Sequence, residues 1–418
     1  MKVLLSAYAC RPRWGSEPAV GWNWVQQVAR FHEVWVMTHT SNRAAIEREL
    51  LHEGSPNVHW VYFGPPRWAR FRQRGLIGIR LNYRLWQIKA YFIARKLHAQ
   101  FAFDIAHHVT LGQYWTPSLV ALLPIPFVWG PVGGGESAPA SFRSGFALRG
   151  RVFETLRDLA RNLASIDPWM KRLVSRSGVA IATTEETASR LRLLGRTDVL
   201  IIPQYAMTTE ERMRLGSLSF RQTNPFRLIS MGRLIHWKGF HLSLRAFAQF
   251  HARCPDSEYW IVNDGPEGRR LKALATELGV RNKVVFWGKL PSLQDVYAKL
   301  ADCDVLVHPA LHEAFGNVCL EAMAAGRPVI CLDLGGPALQ VTEETGIKVP
   351  AISPDQAVHD LAGAMVKLAT DPELRARMGQ AARQRVKESF DWDKKGDLID
   401  QMYLTMKTGD KLDHPLTS

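Results

Sequence analysis

Short apolar runs alternate with helical patterns along the whole chain. KVLLSAYA (2–9), VWVMTH (34–39), VHWVYF (58–63), DIAHHV (104–109), FVWG (127–130), GVAIAT (178–183) and VLIIP (199–203) read as strands in the first half. FRLISMG (226–232), EYWIVND (258–264), VVFWG (284–288), DVLVHP (304–309) and PVICLD (328–333) read so in the second. Val/Ile-rich runs without strict alternation suit parallel strands covered on both faces, and helical segments separate them. This βαβ succession predicts an α/β protein with two doubly wound, Rossmann-like domains, over 1–207 and 225–391. Residues 208–224 are polar and without a clear period, and read as a linker. A last helical pattern starts near Trp392, with Ser389 and Asp391 as candidate N-caps. Crossing back onto the first domain would bury its apolar face, so 392–418 is assigned there.

Length supports the division, since 418 residues exceed what one core serves. With 46% hydrophobic and 22% charged residues the composition is that of an ordinary globular protein. The apolar runs are too short for a transmembrane helix. The opening MKVLLSAYACRPRWG lacks a cleavage site and reads as a strand, not a signal peptide. The cysteines (Cys10, Cys254, Cys303, Cys319, Cys331) are odd in number and form no CxxC pair, which suits free thiols in a reducing cytoplasm. No residues have metal-ligand spacing, and no metal or other cofactor is expected.

Charge changes the picture more. Of a net +14, residues 1–215 carry 28 Lys+Arg against 15 Asp+Glu, and residues 216–418 carry 25 against 24. Residues 54–103 hold no Asp or Glu but nine basic residues: Arg67, Arg70, Arg72, Arg74, Arg80, Arg84, Lys89, Arg95 and Lys96. Trp68, Phe71, Trp86, Tyr91 and Phe92 lie among them. Such a stretch suits an anionic membrane surface; the competing reading is a core helix with a solvated basic face. No nucleic-acid motif accompanies the charge, and no nucleic-acid partner is expected.

Two loops carry the chemistry. GRLIHWKG sets Gly232 and Arg233 after a strand, with Lys238 and Gly239 opening the next helix. A guanidinium fork and an ammonium so close in sequence suit a diphosphate, against the alternative of a solvated loop with incidental charges. LHEAFGNVCLEAMAAG places Gly316 before a small-residue helix, so the amides of Phe315, Gly316, Asn317 and Val318 face whatever sits over its N-terminus. Glu313 and Glu321 flank that point, and carboxylates there would take hydroxyls, one of a ribose and one of a sugar. Separately, each reads equally well as an ordinary surface charge.

Together with VNDGPEGRR and VICLDLGGPALQ, these loops form an ordered set that resembles the retaining glycosyltransferases of the GT-B fold, family 4, closely over 226–346 and loosely elsewhere. The resemblance implies a nucleotide-sugar held by the second domain and an acceptor by the first, with a C-terminal helix returning across a central cleft. It implies Arg233 and Lys238 on the diphosphate and Glu321 on the ribose. Glu313 and the Phe315–Val318 backbone would take sugar and phosphates, and Gly288, Lys289 and Leu290 the base. Two positions depart from the family pattern: Asn263 stands where a glycine is usual, and Ala310 where a serine is.

In the first domain, Gly15, Ser16, Glu17 and Gly21 occupy the place of the family's glycine-rich loop beside the donor phosphates. Gly133, Gly134, Gly135 and Glu136 form a second glycine loop on the acceptor side. Adjacent His107 and His108 replace the family's His-x-His, one of them expected to reach the donor sugar, with a satisfied core histidine as the alternative for each. The implied reaction is metal-independent transfer with retention, from a UDP- or GDP-sugar to a saccharide. A lipid-linked acceptor in surface polysaccharide or glycoconjugate synthesis, at the inner face of the cytoplasmic membrane, fits the charge asymmetry. A small soluble acceptor, or nucleotide-sugar binding without catalysis, are the alternatives.

Overall fold

The structure is a computed structural model that describes residues 1–15, 17–51, 57–65, 75–116, 118–218 and 224–409, leaving out the side chains of 75–80. The chain forms two compact units, one of Met1–Gly135, Ala160–Ala206 and Trp392–Ser418, the other of Glu136–Leu159 and Met207–Asp391.

Among the described residues of the first unit, β1 (Lys2–Ser6), β2 (Glu33–His39), β3 (Val58–Phe63), β4 (Ile105–His108), β5 (Phe127–Val132), β6 (Val179–Ala182) and β7 (Val199–Ile201) form one parallel sheet, in the order β3-β2-β1-β4-β5-β6-β7. The second unit holds β8 (Phe226–Met231), β9 (Ser257–Val262), β10 (Val284–Gly288), β11 (Val305–His308), β12 (Val329–Leu332) and β13 (Gly346–Val349), also parallel, in the order β10-β9-β8-β11-β12-β13. Central strands such as β4, β5, β6, β11 and β12 are buried along their length, as sheets covered on both faces require.

Three features depart from the sequence reading. The expected linker contains a helix, Thr209–Gly216, started by a capping box in which Thr208 and Glu211 satisfy each other's backbone amides. The segment Glu136–Leu159 belongs to the second unit, because Phe142 and Phe146 lie in its core with Phe240, Leu242 and Phe247. And β13 has no counterpart among the expected strands, being four residues long with a half-exposed middle.

The last helix, Trp392–Thr408, packs on the helix Glu17–Ala29 within the first unit. Gln27 donates to Asp393 at 3.2 Å, Arg30 pairs with Asp397 at 3.1 Å, and buried Lys395 donates to the carbonyls of Pro203 and Tyr205. Burial lowers the Lys395 ammonium to a pKa of about 7.

Candidate active site

In each sheet the strand order reverses once, between β1 and β4 and between β8 and β11. Doubly wound sheets bind ligands at the carboxyl end of such a reversal. In the second unit the loops leaving β8, β11 and β12 meet there, and glycines make the meeting possible. Gly239 has φ +68°, and a Cβ on it would lie 1.9 Å from the carbonyl oxygen of Pro309. A Cβ on Gly336 would lie 2.4 Å from the Cα of Phe315. The Gly336 amide donates to the Glu313 carbonyl at 2.9 Å, and Gln340 Nε2 to that of Phe315 at 2.6 Å.

Lys238 and Glu313 are brought together: the Lys238 ammonium donates to Glu313 Oε2. Burial raises the Glu313 carboxyl, but the charge and hydrogen bond of Lys238 outweigh it and leave its pKa below the ordinary value. Gly232 leaves the space beside the ammonium open, since even a Cβ there would stand 4.0 Å from Lys238 Nζ. Arg233 is exposed and, among the described residues, has no ion-pair partner. The helix Asn317–Ala324 starts at Gly316, which is left-handed (φ +83°) and supplies no side-chain cap. Its first amides therefore remain uncapped, with the dipole's positive end toward Glu313.

Glu321 lies one turn into that helix, half-buried. Burial, aided by the negative charge of Glu211, raises its carboxyl to about 7. Gly288 ends β10 with φ +68°, and Lys289 beyond it is exposed. Both stand at the β10 edge, two strands from the reversal. Asn263 explains its own departure from the family pattern, because its φ is +99°, a backbone that glycine adopts freely and asparagine tolerates. Ala310 is buried.

Several important residues here did not come from the sequence. His308, at the end of β11, is buried with Nε2 unbonded and 3.9 Å from Glu313 Oε2. Burial and the neighbouring Lys238 lower its pKa to about 3, so it is neutral. Glu154 is fully buried, and its Oε1 accepts from His236 Nε2 and His312 Nε2, each at 3.1 Å. Arg157 stands 3.6 Å from its other oxygen. Burial acts to raise the Glu154 carboxyl, but the two histidines and Arg157 hold it well below the ordinary range. Phe153 stacks on Trp237, and Trp237 on His312. Glu154 thus braces the loops after β8 and β11 from one buried point. No signal in sequence marked it, because helix and loops are far apart in the chain.

A first prediction follows. Glu154→Leu should cost roughly 3–5 kcal/mol, by leaving two imidazole N–H groups without their acceptor and removing the carboxylate beside Arg157. A depressed carboxyl contributes stability above its unfolded pKa, about 4.3, and loses it as pH falls below that. The wild-type melting temperature should therefore approach that of Glu154→Leu in acid; an equal gap at pH 7 and pH 3.5 would count against the brace.

Several of the residues expected at the first domain's site have partners within the fold. Glu17 Oε1 accepts the Leu111 amide at 2.6 Å and so holds Leu111 in a left-handed turn, φ 55°. Gly133 and Gly135 donate to the Gly112 carbonyl at 2.8 Å and to Thr187 Oγ1 at 2.9 Å. A Cβ on Gly134 would meet the Trp115 ring at 2.7 Å, so the triglycine is a close-packed loop. Glu136 is buried in the second unit, beside Gly335. Of the two histidines, His107 bonds Tyr403 Oη and the Gly130 carbonyl, and His108 bonds Tyr83 Oη and Ser6 Oγ, as the core alternative describes. Both rings are fully buried, and burial lowers them to about 4 and about 3. Gly15 has open space around it, and Ser16 lies outside the described residues.

Comparison with known proteins names the second unit. Residues 219–385 match the family described as glycosyl transferases, group 1. Most of the second unit thus resembles the group 1 glycosyl transferases. A relative of this group, the lipopolysaccharide core biosynthesis glycosyltransferase LpsD of Rhizobium meliloti, is 30% identical over 211 residues, which cover 50% of this chain and 59% of that protein. The GDP-mannose-dependent monoacylated alpha-(1-6)-phosphatidylinositol monomannoside mannosyltransferase of Corynebacterium glutamicum is 34% identical over 189 residues, 44% of this chain and 48% of that one. The chain thus spans about half the length of the curated relatives it matches. Sucrose-phosphate synthase from Thermosynechococcus elongatus shares the fold over 98% of this chain and all of its own, with a TM-score of 0.65 at 19% identity. HepE of Anabaena, solved with UDP and glucose, shares it over 97%, with a TM-score of 0.61. The fold is the pair of Rossmann-like domains of GT-B glycosyltransferases.

Proposed function

We propose that the protein is a retaining, metal-independent glycosyltransferase of family 4. It would transfer a sugar from a UDP- or GDP-sugar to a saccharide acceptor, lipid-linked, in surface polysaccharide or glycoconjugate synthesis. The observation that carries this reading is the meeting of Lys238, Glu313 and an uncapped helix N-terminus at the strand reversal of a group 1 unit. A donor diphosphate would replace Glu313 as the partner of Lys238. Arg233 and the amides of Asn317 and Val318 would share its charge, and Glu313, released, would accept a hydroxyl of the donor sugar. Negative charge grows on the leaving diphosphate, so donors fixed in advance stabilise the transition state most. This cation set fills the role that a metal has in other transferases. Glu321 would take the ribose. The names of the relatives, which act in lipopolysaccharide core synthesis and on a phosphatidylinositol mannoside, support a lipid-linked acceptor.

A panel of UDP, GDP and ADP tests the donor assignment, since a ligand at 100 times its Kd adds about 2.7 kcal/mol to the folded state. One nucleotide should raise the melting temperature; no shift with any would overturn the proposal. Glu321→Gln should weaken that nucleotide, whereas Glu313→Gln should spare it and damage transfer. A raised carboxyl stabilises the free protein below its unfolded value and ceases to as pH rises through about 7. Its carboxylate is the form that accepts ribose hydroxyls, so wild-type affinity should rise from pH 6 to 8 more steeply than that of Glu321→Gln.

The membrane expectation divides. Arg67, Trp68, Arg70, Phe71, Arg72 and Arg74 lie outside the described residues, and the side chain of Arg80 is not described. In the helix Gly75–Phe101, Arg84, Lys89, Arg95 and Lys96 are exposed. Trp86 is corrected from surface to core: it is fully buried, stacks on Phe63 and donates to the Phe63 carbonyl at 3.2 Å. Among the described residues no helix is long and apolar enough to cross a membrane. A peripheral position on the cytoplasmic face is part of the proposal.

A further inference from the structure

The helix Leu148–Ile166 has its polarity reversed. Leu148, Val152, Leu156, Leu159, Leu163 and Ile166 are each between 49% and 75% exposed. At 100° per residue their spacing places them within one arc of about 80°. The opposite face carries Glu154 and Arg161, both fully buried. Glu154 is held by the two histidines described above, and Arg161 by Tyr114 Oη and the Gly135 carbonyl. A helix packed against aqueous surroundings does the reverse, burying its leucines and hydrating its charges. The charged face is fully engaged, so turning the helix over would strand it. The leucine face therefore calls for an apolar partner of its own.

Charge indicates which partner. Exposed Arg149 and Arg151 border the stripe. The next helix, Pro168–Ser175, begins with half-exposed Trp169, and Lys171, Arg172 and Arg176 are exposed after it. The acidic residues of this stretch are all engaged: Glu154 with its histidines, Asp158 with Arg143, and Asp167 as the cap accepting the Trp169 amide at 2.8 Å. A second copy of the chain would bring these cations against their own kind. An anionic surface with an apolar interior offers both required halves. A second stripe of the same design lies on the helix Gly75–Phe101, where exposed Leu81, Ile88 and Phe92 run between Arg84 and Arg95 on one side and Lys89 and Lys96 on the other.

We propose that the helix Leu148–Ile166 lies in the plane of an anionic bilayer, its leucine face in the acyl region and its neighbouring arginines and lysines at lipid phosphates. This goes beyond the transfer reading by assigning the surface that would hold the enzyme to lipid, and it rests on exposure and charge, not on donor chemistry.

Flotation of the full chain with vesicles tests it, using phosphatidylglycerol mixed with phosphatidylcholine against phosphatidylcholine alone. The chain should float with the mixed vesicles, and less so at high salt. Leu156→Glu/Leu159→Glu/Leu163→Glu should lower partition at least about a hundredfold. Arg149→Ser/Arg151→Ser should lower it several-fold, on the anionic vesicles only. Leu193→Glu, an equally exposed leucine on another helix, should change nothing. Melting temperature and nucleotide-induced stabilisation, read on the same variants, report folding and the donor site separately. Wild-type partition retained in the triple variant would overturn the proposal, as would absence of wild-type flotation, or a concentration-dependent dimer that the triple variant dissolves.

Discussion

Lys238→Ala should leave the protein folded and lower sugar transfer by about 100- to 1,000-fold, which is about 2.7–4 kcal/mol in the barrier. Among the described residues the ammonium hydrogen-bonds Glu313 alone, and it lies beside the open space at Gly232, so its loss disturbs no core. What it does disturb is charge. Without Lys238 the Glu313 carboxyl loses the largest influence holding it down, and burial then pushes it up toward neutrality. The pH dependence of the residual activity should therefore move to higher pH. Arg233→Ala should lower transfer comparably but leave the profile in place, because among the described residues Arg233 pairs with neither carboxylate. A Lys238→Ala enzyme with near-normal turnover would remove the diphosphate assignment, and equal pH profiles in both variants would remove the coupling to Glu313.

Gly239→Val should cost at least about 3 kcal/mol and abolish nucleotide-induced stabilisation. Two effects add. At φ +68° any L-residue is strained, by about 1–2 kcal/mol. Its Cβ would also stand 1.9 Å from the Pro309 carbonyl oxygen, a contact relieved only by moving the loop after β11. That movement would separate Lys238 from Glu313. Gly279 provides the internal control: φ is +72°, yet no atom lies within 4 Å of its would-be Cβ. Gly279→Ala should show the strain alone, with the donor response intact. Equal losses at both positions would mean that backbone strain, not loop apposition, sets the cost.

Legibility followed distance along the chain. Strand runs such as DVLVHP, which became β11, and PVICLD, which became β12, stood out because burial on both faces leaves a continuous apolar trace. The loops holding Lys238 and Glu313 stood out because the chemistry is dense and local. The capping box at Thr208–Glu211 was equally local and was hidden only by the polarity around it. What sequence could not show was who faces whom. His107 and His108 have the composition of a catalytic pair, and only the positions of Tyr403, Gly130, Tyr83 and Ser6 reveal that both rings are satisfied. Glu154 is the converse, an ordinary acid in an amphipathic helix that the fold turns into a brace for two histidines more than eighty residues downstream. Nothing in the sequence singled out the leucine stripe of that helix, whose exposure shows only once the opposite side is seen to be the buried one.

The return of the helix Trp392–Thr408 to the first unit bears on how the protein is made. A chain emerging from the ribosome presents residues 1–206 first, but the partners of Trp24, His107 and the Pro203 and Tyr205 carbonyls are Trp392, Tyr403 and Lys395. Throughout synthesis of the second unit, the first must wait with that seam uncovered. A message truncated anywhere before codon 392 therefore yields a first unit lacking its final helix, however complete its sheet. The helix that completes the first unit is thus withheld until translation has passed the whole second unit.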